Sequence, residues 1–211
     1  MTEFLKSPAV DQPVVATMIL AHGAGAPMDS AFMNALCGSL AEQGITTLRF
    51  EFPYMVRRRE EGSRRPPDRQ PVLVECWREV FAEVKQQACQ EGYQGKLLIG
   101  GKSMGGRMAS IVAEELKPDG FCCFGYPFYP PGKTTSSRTE HFLTTQVPGL
   151  ILQGTRDTFG KPGGIDNSRW PSTIELAWLE EGDHDYKPGK RSGLTQLDVI
   201  QTAAAVVRSW L

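Results

Sequence analysis

The chain has 211 residues, of which 40% are hydrophobic and 22% charged, as is typical of a globular protein with one sizeable core. The formal net charge of −1 excludes an overall field that would attract nucleic acid or an anionic membrane, and no apolar run reaches the length of a membrane span. The first six residues do not resemble a signal peptide, and the five cysteines are irregularly spaced. We therefore expect a cytoplasmic protein that forms a single domain over residues 1–211.

Short apolar runs alternate with helical patterns along the chain. The predicted strands span residues 14–21, 45–52, 96–100, 121–125, 150–153 and 173–179. One helix is predicted to follow a cap at Asp29 or Ser30 and to stop at Gly44, and others are predicted over 71–90, up to Leu116 and over 194–211. This alternation predicts a three-layer α/β/α fold with a mostly parallel sheet of about six strands.

The segment 53–70 is predicted to be the only long loop, and no helical lid insertion is expected. Its basic part, residues 57–69, carries six arginines: Arg57, Arg58, Arg59, Arg64, Arg65 and Arg69. Two interpretations stay open. The loop is a solvated surface, or Arg57 helps to bind a carboxylate or phosphate of the substrate. Nucleic-acid binding is not indicated, because acidic residues dilute the basic ones.

A Gly-x-Ser-x-Gly motif follows the third predicted strand and precedes a helical pattern. In this motif Ser103 lies between Gly101 and Gly105, the arrangement of a nucleophile elbow. Such a turn is tight, and side chains at the two glycine positions would collide with the strand and the helix. A nucleotide-binding loop ending in Gly-Lys-Ser is excluded, because it needs a glycine at position 96, which is a lysine.

A serine nucleophile needs a base, and the base needs a carboxylate to orient it. His184 follows the sixth predicted strand and Asp157 follows the fifth. The chain order Ser103, Asp157, His184 is the order that α/β-hydrolases use. Alternatives are Asp183 or Asp185 as the carboxylate, and ordinary turn or loop roles for all three residues.

Attack by a serine on a carbonyl carbon also needs amide donors for the oxyanion that forms. The predicted donors are the amides of Met104, at the start of the helix behind the serine, and Ala24, in the glycine-rich loop after the first strand, with Gly25 as the alternative. Gly25 and His141 are candidate substrate-binding residues, although His141 is equally consistent with a helix-surface or core position. His22 is interpreted as a structural hydrogen-bonding residue.

Five segments together resemble a small dienelactone-hydrolase-like group of α/β-hydrolases, related to the third subunit of the nonspecific-lethal chromatin complex and to testis-expressed protein thirty. These segments are HGAG (22–25), GGKSMGGR (100–107), RTEHF (138–142), QGTRDTFG (153–160) and EGDHDYK (181–187). The resemblance implies a compact hydrolase core, with Ser103, Asp157 and His184 at the triad positions. Dienelactone hydrolases proper use a cysteine nucleophile, so their specific activity is not carried over.

The sequence therefore predicts a serine hydrolase that acts on an ester, thioester or related acyl bond of a small substrate. No metal or organic cofactor is expected, and no nucleic-acid or membrane partner. Alternatives are a non-catalytic binding or scaffold module with the same fold, since fold does not fix function, and an acyltransferase that uses the same residues.

Overall fold

A single twisted sheet forms the centre of the protein. The computed structural model describes residues 2–10, 13–62, 65–130 and 138–211. Within these ranges the sheet has seven strands: β1 (Leu5–Ser7), β2 (Ala16–Ala21), β3 (Ile45–Phe50), β4 (Lys96–Lys102), β5 (Gly120–Phe124), β6 (Gly149–Gly154) and β7 (Ile174–Leu179). Their order is β1-β3-β2-β4-β5-β6-β7; β1 pairs antiparallel with β3, and the other pairs are parallel. The predicted mostly parallel sheet is confirmed.

Helices cover both faces of this sheet. They are α1 (Ala31–Glu42), α2 (Pro53–Glu61), α3 (Gln70–Gln90), α4 (Met104–Leu116) and α5 (Gln196–Trp210), with a short 3-10 helix at Glu140–Leu143. Helix α1 packs against α5, and α3 packs against α4. The two helix pairs contribute to two separate hydrophobic clusters, so the three-layer α/β/α architecture is confirmed.

The apolar faces of the helices explain this packing. On α3, the buried residues Leu73, Trp77, Val80 and Val84 recur at helical spacing and point toward the sheet. The Trp77 ring packs edge-on against Phe50 of β3, with ring centroids 4.8 Å apart. An aromatic pair of this kind adds about 1 kcal/mol beyond the area it buries.

The structure corrects the predicted loop over 53–70, because its first half is helix α2. Pro53 lies in the first turn of α2, where a proline is tolerated, and Gly62 closes the helix in the left-handed conformation with φ 65°. The sequence analysis predicted a loop because the arginine-rich composition outweighed these two helix-boundary signals. Arg64 of the basic segment lies outside the described residues.

The sheet also has one strand more than predicted, since β1 was not expected. This strand has three residues and pairs only with β3, from Leu5 opposite Arg49 to Ser7 opposite Thr47. A strand this short shows no hydrophobic pattern of its own, so its position depends on backbone pairing with a distant segment.

Candidate active site

Three predicted residues meet at the carboxyl-end edge of the sheet. Ser103 follows β4, Asp157 follows β6 and His184 follows β7. The His184 Nε2 atom lies 2.9 Å from Ser103 Oγ, and His184 Nδ1 lies 2.8 Å from Asp157 Oδ2. Parallel strands bring residues far apart in sequence to one edge, which explains the convergence. The structure thus joins the three side chains in one hydrogen-bonded chain.

The backbone at Ser103 has the strained geometry that an elbow requires. Its φ is 52° and its ψ is −115°, a region that residues with a side chain rarely adopt. A hydrogen bond from Ser103 N to Phe124 O, 2.9 Å long, ties the turn to the neighbouring strand. A Cβ atom on Gly101 or Gly105 would lie 2.5 Å from Ala21 O. Only glycine therefore allows β4 and α4 to approach the end of β2 this closely.

The carboxylate of Asp157 is completely buried and is bonded through both oxygens. Besides His184, it accepts hydrogen bonds from Gln153 Nε2 on Oδ2 and from Phe159 N on Oδ1, both at 2.8 Å. Gln153 is itself fixed, because its Oε1 accepts a hydrogen bond from Tyr126 N at 2.7 Å. This network sets the direction in which Asp157 faces the imidazole.

The loop that carries His184 is stabilised from within by Asp183. Its Oδ1 atom accepts hydrogen bonds from the amides of Asp185 and Lys187, at 2.8 and 2.9 Å. The Phe159 ring packs against the imidazole of His184, with centroids 4.5 Å apart. The structure therefore gives Asp157 the contact with His184 and gives Asp183 a turn-forming role.

Lys102 is a buried cation directly beside these residues. Its Nζ atom donates a hydrogen bond to His184 O at 2.5 Å and lies 3.4 Å from Asp185 Oδ1. The same atom lies 5.3 Å from the centroid of the Phe32 ring. Burial lowers the pKa of Lys102, while the negative charges of Asp185 and Asp157 oppose that shift.

The loop after β2 turns the carbonyl groups of Gly23 and Ala24 toward Tyr54. His22 Nδ1 bonds Gly23 O at 2.7 Å, and the buried Tyr54 hydroxyl donates to Gly23 O at 3.3 Å and to Ala24 O at 3.0 Å. In a trans peptide the N–H points opposite to the C=O. The amides of Ala24 and Gly25 are therefore directed away from Tyr54.

His22 shapes this loop as a neutral hydrogen-bonding residue. Its Nε2 accepts a hydrogen bond from Phe52 N at 3.2 Å, so its proton sits on Nδ1. Burial lowers the pKa of His22.

Met104 is the first residue of α4, and its amide has no acceptor inside the helix.

A cavity of about 350 Å³ opens above the Ser103 hydroxyl. Apolar groups dominate its walls. Its lining consists of Gly23, Ala24, Gly25, Ala26, Ser30, Phe32, Met33, Lys102, Ser103, Phe159, His184 and Asp185. Ala24 and Gly25 thus line the same cavity as Ser103.

Two other predicted site residues lie elsewhere. Among the described residues that line the cavity, neither Arg57 nor His141 appears. Arg57 forms an ion pair with Asp68, 2.6 Å long. His141 Nε2 lies 2.9 Å from the buried Ser110 Oγ of α4, and burial, together with the charge of Arg107, lowers the pKa of His141 to about 4. The structure gives both residues local partners instead of a place at the cavity.

Sequence reasoning missed the supporting residues Lys102, Gln153 and Tyr54. Lys102 and Gln153 each carry a signal that could have found them, since each is a polar residue at the end of an otherwise apolar strand. Such a residue has to be paired when its strand is buried. Tyr54 gives no comparable signal, because its partners are backbone carbonyls 30 and 31 residues away.

The described part of the chain contains neither a candidate metal site nor a candidate membrane span. Its histidine, cysteine and acidic side chains form no group of three that could hold a metal ion. Likewise, none of its helices combines the length and apolar character needed to cross a membrane.

Solved structures with the same architecture include several hydrolases. An α/β serine hydrolase homologue from Coxiella burnetii is 18% identical, with a TM-score of 0.72 over 99% of this chain and 90% of that one. A lidless α/β serine hydrolase from Xanthomonas campestris is 21% identical, with a TM-score of 0.71 over 97% of this chain and 86% of that one. A dienelactone hydrolase from Anabaena variabilis is 14% identical, with a TM-score of 0.67 over 97% and 88%. At these identities the likeness establishes the fold alone. Over the described residues, that fold is compact and has no lid.

A family comparison extends this likeness to the sequence. The family model described as "Alpha/beta hydrolase domain" matches residues 14–211, which include the elbow, the buried carboxylate and the histidine loop. The chain therefore belongs to the alpha/beta hydrolase family.

Proposed function

We propose that this protein is a serine hydrolase that cleaves an ester, thioester or related acyl bond of a small substrate through an acyl-enzyme intermediate. The observation that carries the proposal is the chain of contacts from Ser103 Oγ through the His184 imidazole to Asp157 Oδ2, at 2.9 and 2.8 Å. A serine hydroxyl needs such a base, and a histidine needs such an acceptor on its second nitrogen. Family membership and the hydrolase neighbours support the same chemistry.

The first half of the reaction forms the acyl-enzyme. Ser103 Oγ attacks the substrate carbonyl carbon while His184 Nε2 takes the hydroxyl proton. The imidazolium that forms is stabilised by the Asp157 carboxylate, which accepts a hydrogen bond from its Nδ1–H. The bond to the leaving alcohol or thiol then breaks, and His184 returns the proton to that group.

The second half releases the acid. A water molecule gives a proton to His184 Nε2 and attacks the acyl carbon, and the bond to Ser103 Oγ breaks as the proton returns to the serine. In both halves the oxyanion is held by the Met104 amide and by an amide of the loop after β2. Ala24 is our choice for the second donor, with Gly25 as the alternative.

The cavity supports small acyl groups as substrates. Its volume of about 350 Å³ and its apolar wall of Phe32, Met33 and Phe159 suit a short carbon chain better than a charged acyl group. Carboxylesterase activity on short p-nitrophenyl esters is therefore the expected readout.

The test compares the wild type with Ser103→Ala and with Ser209→Ala, an exposed serine of α5 that serves as the matched control. We expect Ser103→Ala to reduce ester turnover to near background and to abolish labelling by a fluorophosphonate probe, while Ser209→Ala keeps both. A Ser103→Ala variant with unchanged turnover would refute the proposal. A wild-type protein that neither turns over esters nor reacts with the probe would favour the scaffold interpretation.

The sequence also supports further proposals about the compartment, the domain organisation and the partners of the enzyme. We propose that it acts in the cytoplasm, as one domain, without a nucleic-acid or membrane partner. The kinship with the group that includes testis-expressed protein thirty is likewise a proposal that rests on the five sequence segments. Hydrolysis is distinguished from acyl transfer by supplying alcohol acceptors and measuring whether transfer products replace the free acid.

A further inference from the structure

A charged side chain lies beside the nucleophile and the base and has no part in the reaction proposed above. Lys102 immediately precedes Ser103 at the end of β4, pairs in register with Phe124 of β5, and is only 6% exposed. Removing an ammonium group from water is costly unless acceptors and opposite charges replace the water. A neutral side chain would fill this position at lower cost, so the charge calls for an explanation.

The contacts of the Lys102 ammonium converge on the histidine loop. Its nitrogen donates to the main-chain oxygen of His184 at 2.5 Å and faces Asp185 Oδ1 at 3.4 Å. From α1, the Phe32 ring covers it at 5.3 Å. The acidic groups that act on it are Asp183 and Asp185 on the histidine loop and Asp157 on the loop after β6.

The ammonium is also close to the imidazole itself. A Cβ atom built on Gly125 would lie 3.1 Å from Lys102 Nζ and 3.5 Å from His184 Nδ1. The two nitrogens are therefore at most about 7 Å apart, so the ammonium holds the histidine loop close to the imidazole itself.

We propose that Lys102 is a positioning residue for the hydrolysis: its ammonium fixes the main chain of His184 against the strand that carries Ser103. This contact keeps the His184 Nε2 atom within reach of the Ser103 hydroxyl. This inference rests on the proposed function, because it concerns the same serine and histidine.

The contact predicts a specific change in Lys102→Met, which keeps an unbranched side chain and loses the hydrogen-bond donor. We expect kcat on a short p-nitrophenyl ester to fall about 10- to 100-fold with KM within about twofold, because a loosened base is misplaced while the apolar wall of the cavity is unchanged. Lys102→Arg retains a charged donor at this place and should restore kcat toward the wild-type value.

Two further variants separate this role from a structural one. Lys85→Met on α3 removes an exposed lysine whose Nζ lies 5.6 Å from the Phe81 ring centroid, a cation–ring contact like that of Lys102 with Phe32, and should leave kcat unchanged. Asp185→Asn removes the carboxylate that faces the Lys102 ammonium and should lower kcat with KM unchanged. This second variant keeps the proposal testable if Lys102→Met does not fold.

The outcomes are distinct from those that test the proposed function. If Ser103→Ala abolishes turnover but a folded Lys102→Met keeps the wild-type kcat, the role of Lys102 is refuted and the hydrolase assignment stands. A loss in Lys102→Met that falls on KM instead of kcat would refute the positioning role as well. If Ser103→Ala keeps full turnover, the proposed function itself fails.

Discussion

Gln153 donates a hydrogen bond to the same carboxylate oxygen of Asp157 that faces His184, at a distance of 2.8 Å. The glutamine is buried at the end of β6, four residues before the aspartate, and its own oxygen is bonded to the Tyr126 amide. The orientation of the aspartate is therefore set from the sheet through Gln153, in addition to the bond from Phe159 N in its own loop. This makes Asp157 a rigid acceptor for the imidazole.

Replacement of this acceptor should affect the chemical step and not substrate binding. We expect Asp157→Asn to lower kcat by about 1,000- to 10,000-fold with little change in KM, because an amide group at this place favours the wrong imidazole tautomer. Steady-state kinetics on a short p-nitrophenyl ester measures this. Asp183→Asn is the matched control, since Asp183 bonds only main-chain amides of its own turn in the described structure. A larger loss in Asp183→Asn than in Asp157→Asn would reassign the carboxylate.

The two glycines Gly105 and Gly38 should respond oppositely to the same added methyl group. On Gly105 of α4, a Cβ atom would lie 2.5 Å from Ala21 O and 2.6 Å from His22 O, and neither backbone atom can move freely. We expect Gly105→Ala to lower the free energy of unfolding by about 3 kcal/mol. On the exposed Gly38 of α1 a Cβ atom meets nothing within 4 Å, so Gly38→Ala should raise it by about 0.5–1 kcal/mol. Urea denaturation compares the two, and similar signs would contradict the close approach at the elbow.

The neutral histidine at position 141 should make the fold sensitive to acid. Burial lowers the pKa of His141 to about 4, below its ordinary value of 6.5, so the unfolded chain binds a proton that the folded protein excludes. The contribution of this residue is fully present above pH 6.5 and is lost as the pH falls toward 4, by up to about 3 kcal/mol.

The variant His141→Gln keeps a polar group near Ser110 and removes the titration. We expect it to lose less stability than the wild type when urea denaturation is repeated at pH 7 and at pH 4.5. Some loss of stability at pH 4.5 should remain in His141→Gln, because burial also lowers the pKa of His22. Equal losses in the two proteins would contradict the burial of a neutral imidazole at position 141.

The parts of the site that sequence reasoning could predict are those that depend on chain order and residue type. Ser103, Asp157 and His184 each follow an apolar run, and parallel strands bring such positions to one edge. The position of Lys102 at the end of an apolar strand indicates that it needs a partner, but the sequence does not identify that partner, a carbonyl 82 residues away. The substrate role predicted for Arg57 came from composition alone, whereas its partner Asp68 lies 11 residues further along the chain, beyond α2.

The fold shows the same division between local and distant causes. The boundaries of α1 follow from neighbouring residues, since the Ser30 hydroxyl accepts a hydrogen bond from Met33 N at its start and Gly44 turns the chain with φ 78° at its end. Strand β1 follows from no local signal, because a three-residue segment becomes a strand only against the edge of β3.

The strained dihedral angles at Ser103 have a consequence for how this sequence can change over time. A residue with a side chain in this backbone region costs about 1–3 kcal/mol, which the rest of the fold has to offset. Under the proposed function, selection for catalysis keeps a hydroxyl-bearing residue there. In a duplicated copy released from that selection, glycine becomes the favoured occupant of position 103, and drift toward a more stable, inert descendant is downhill.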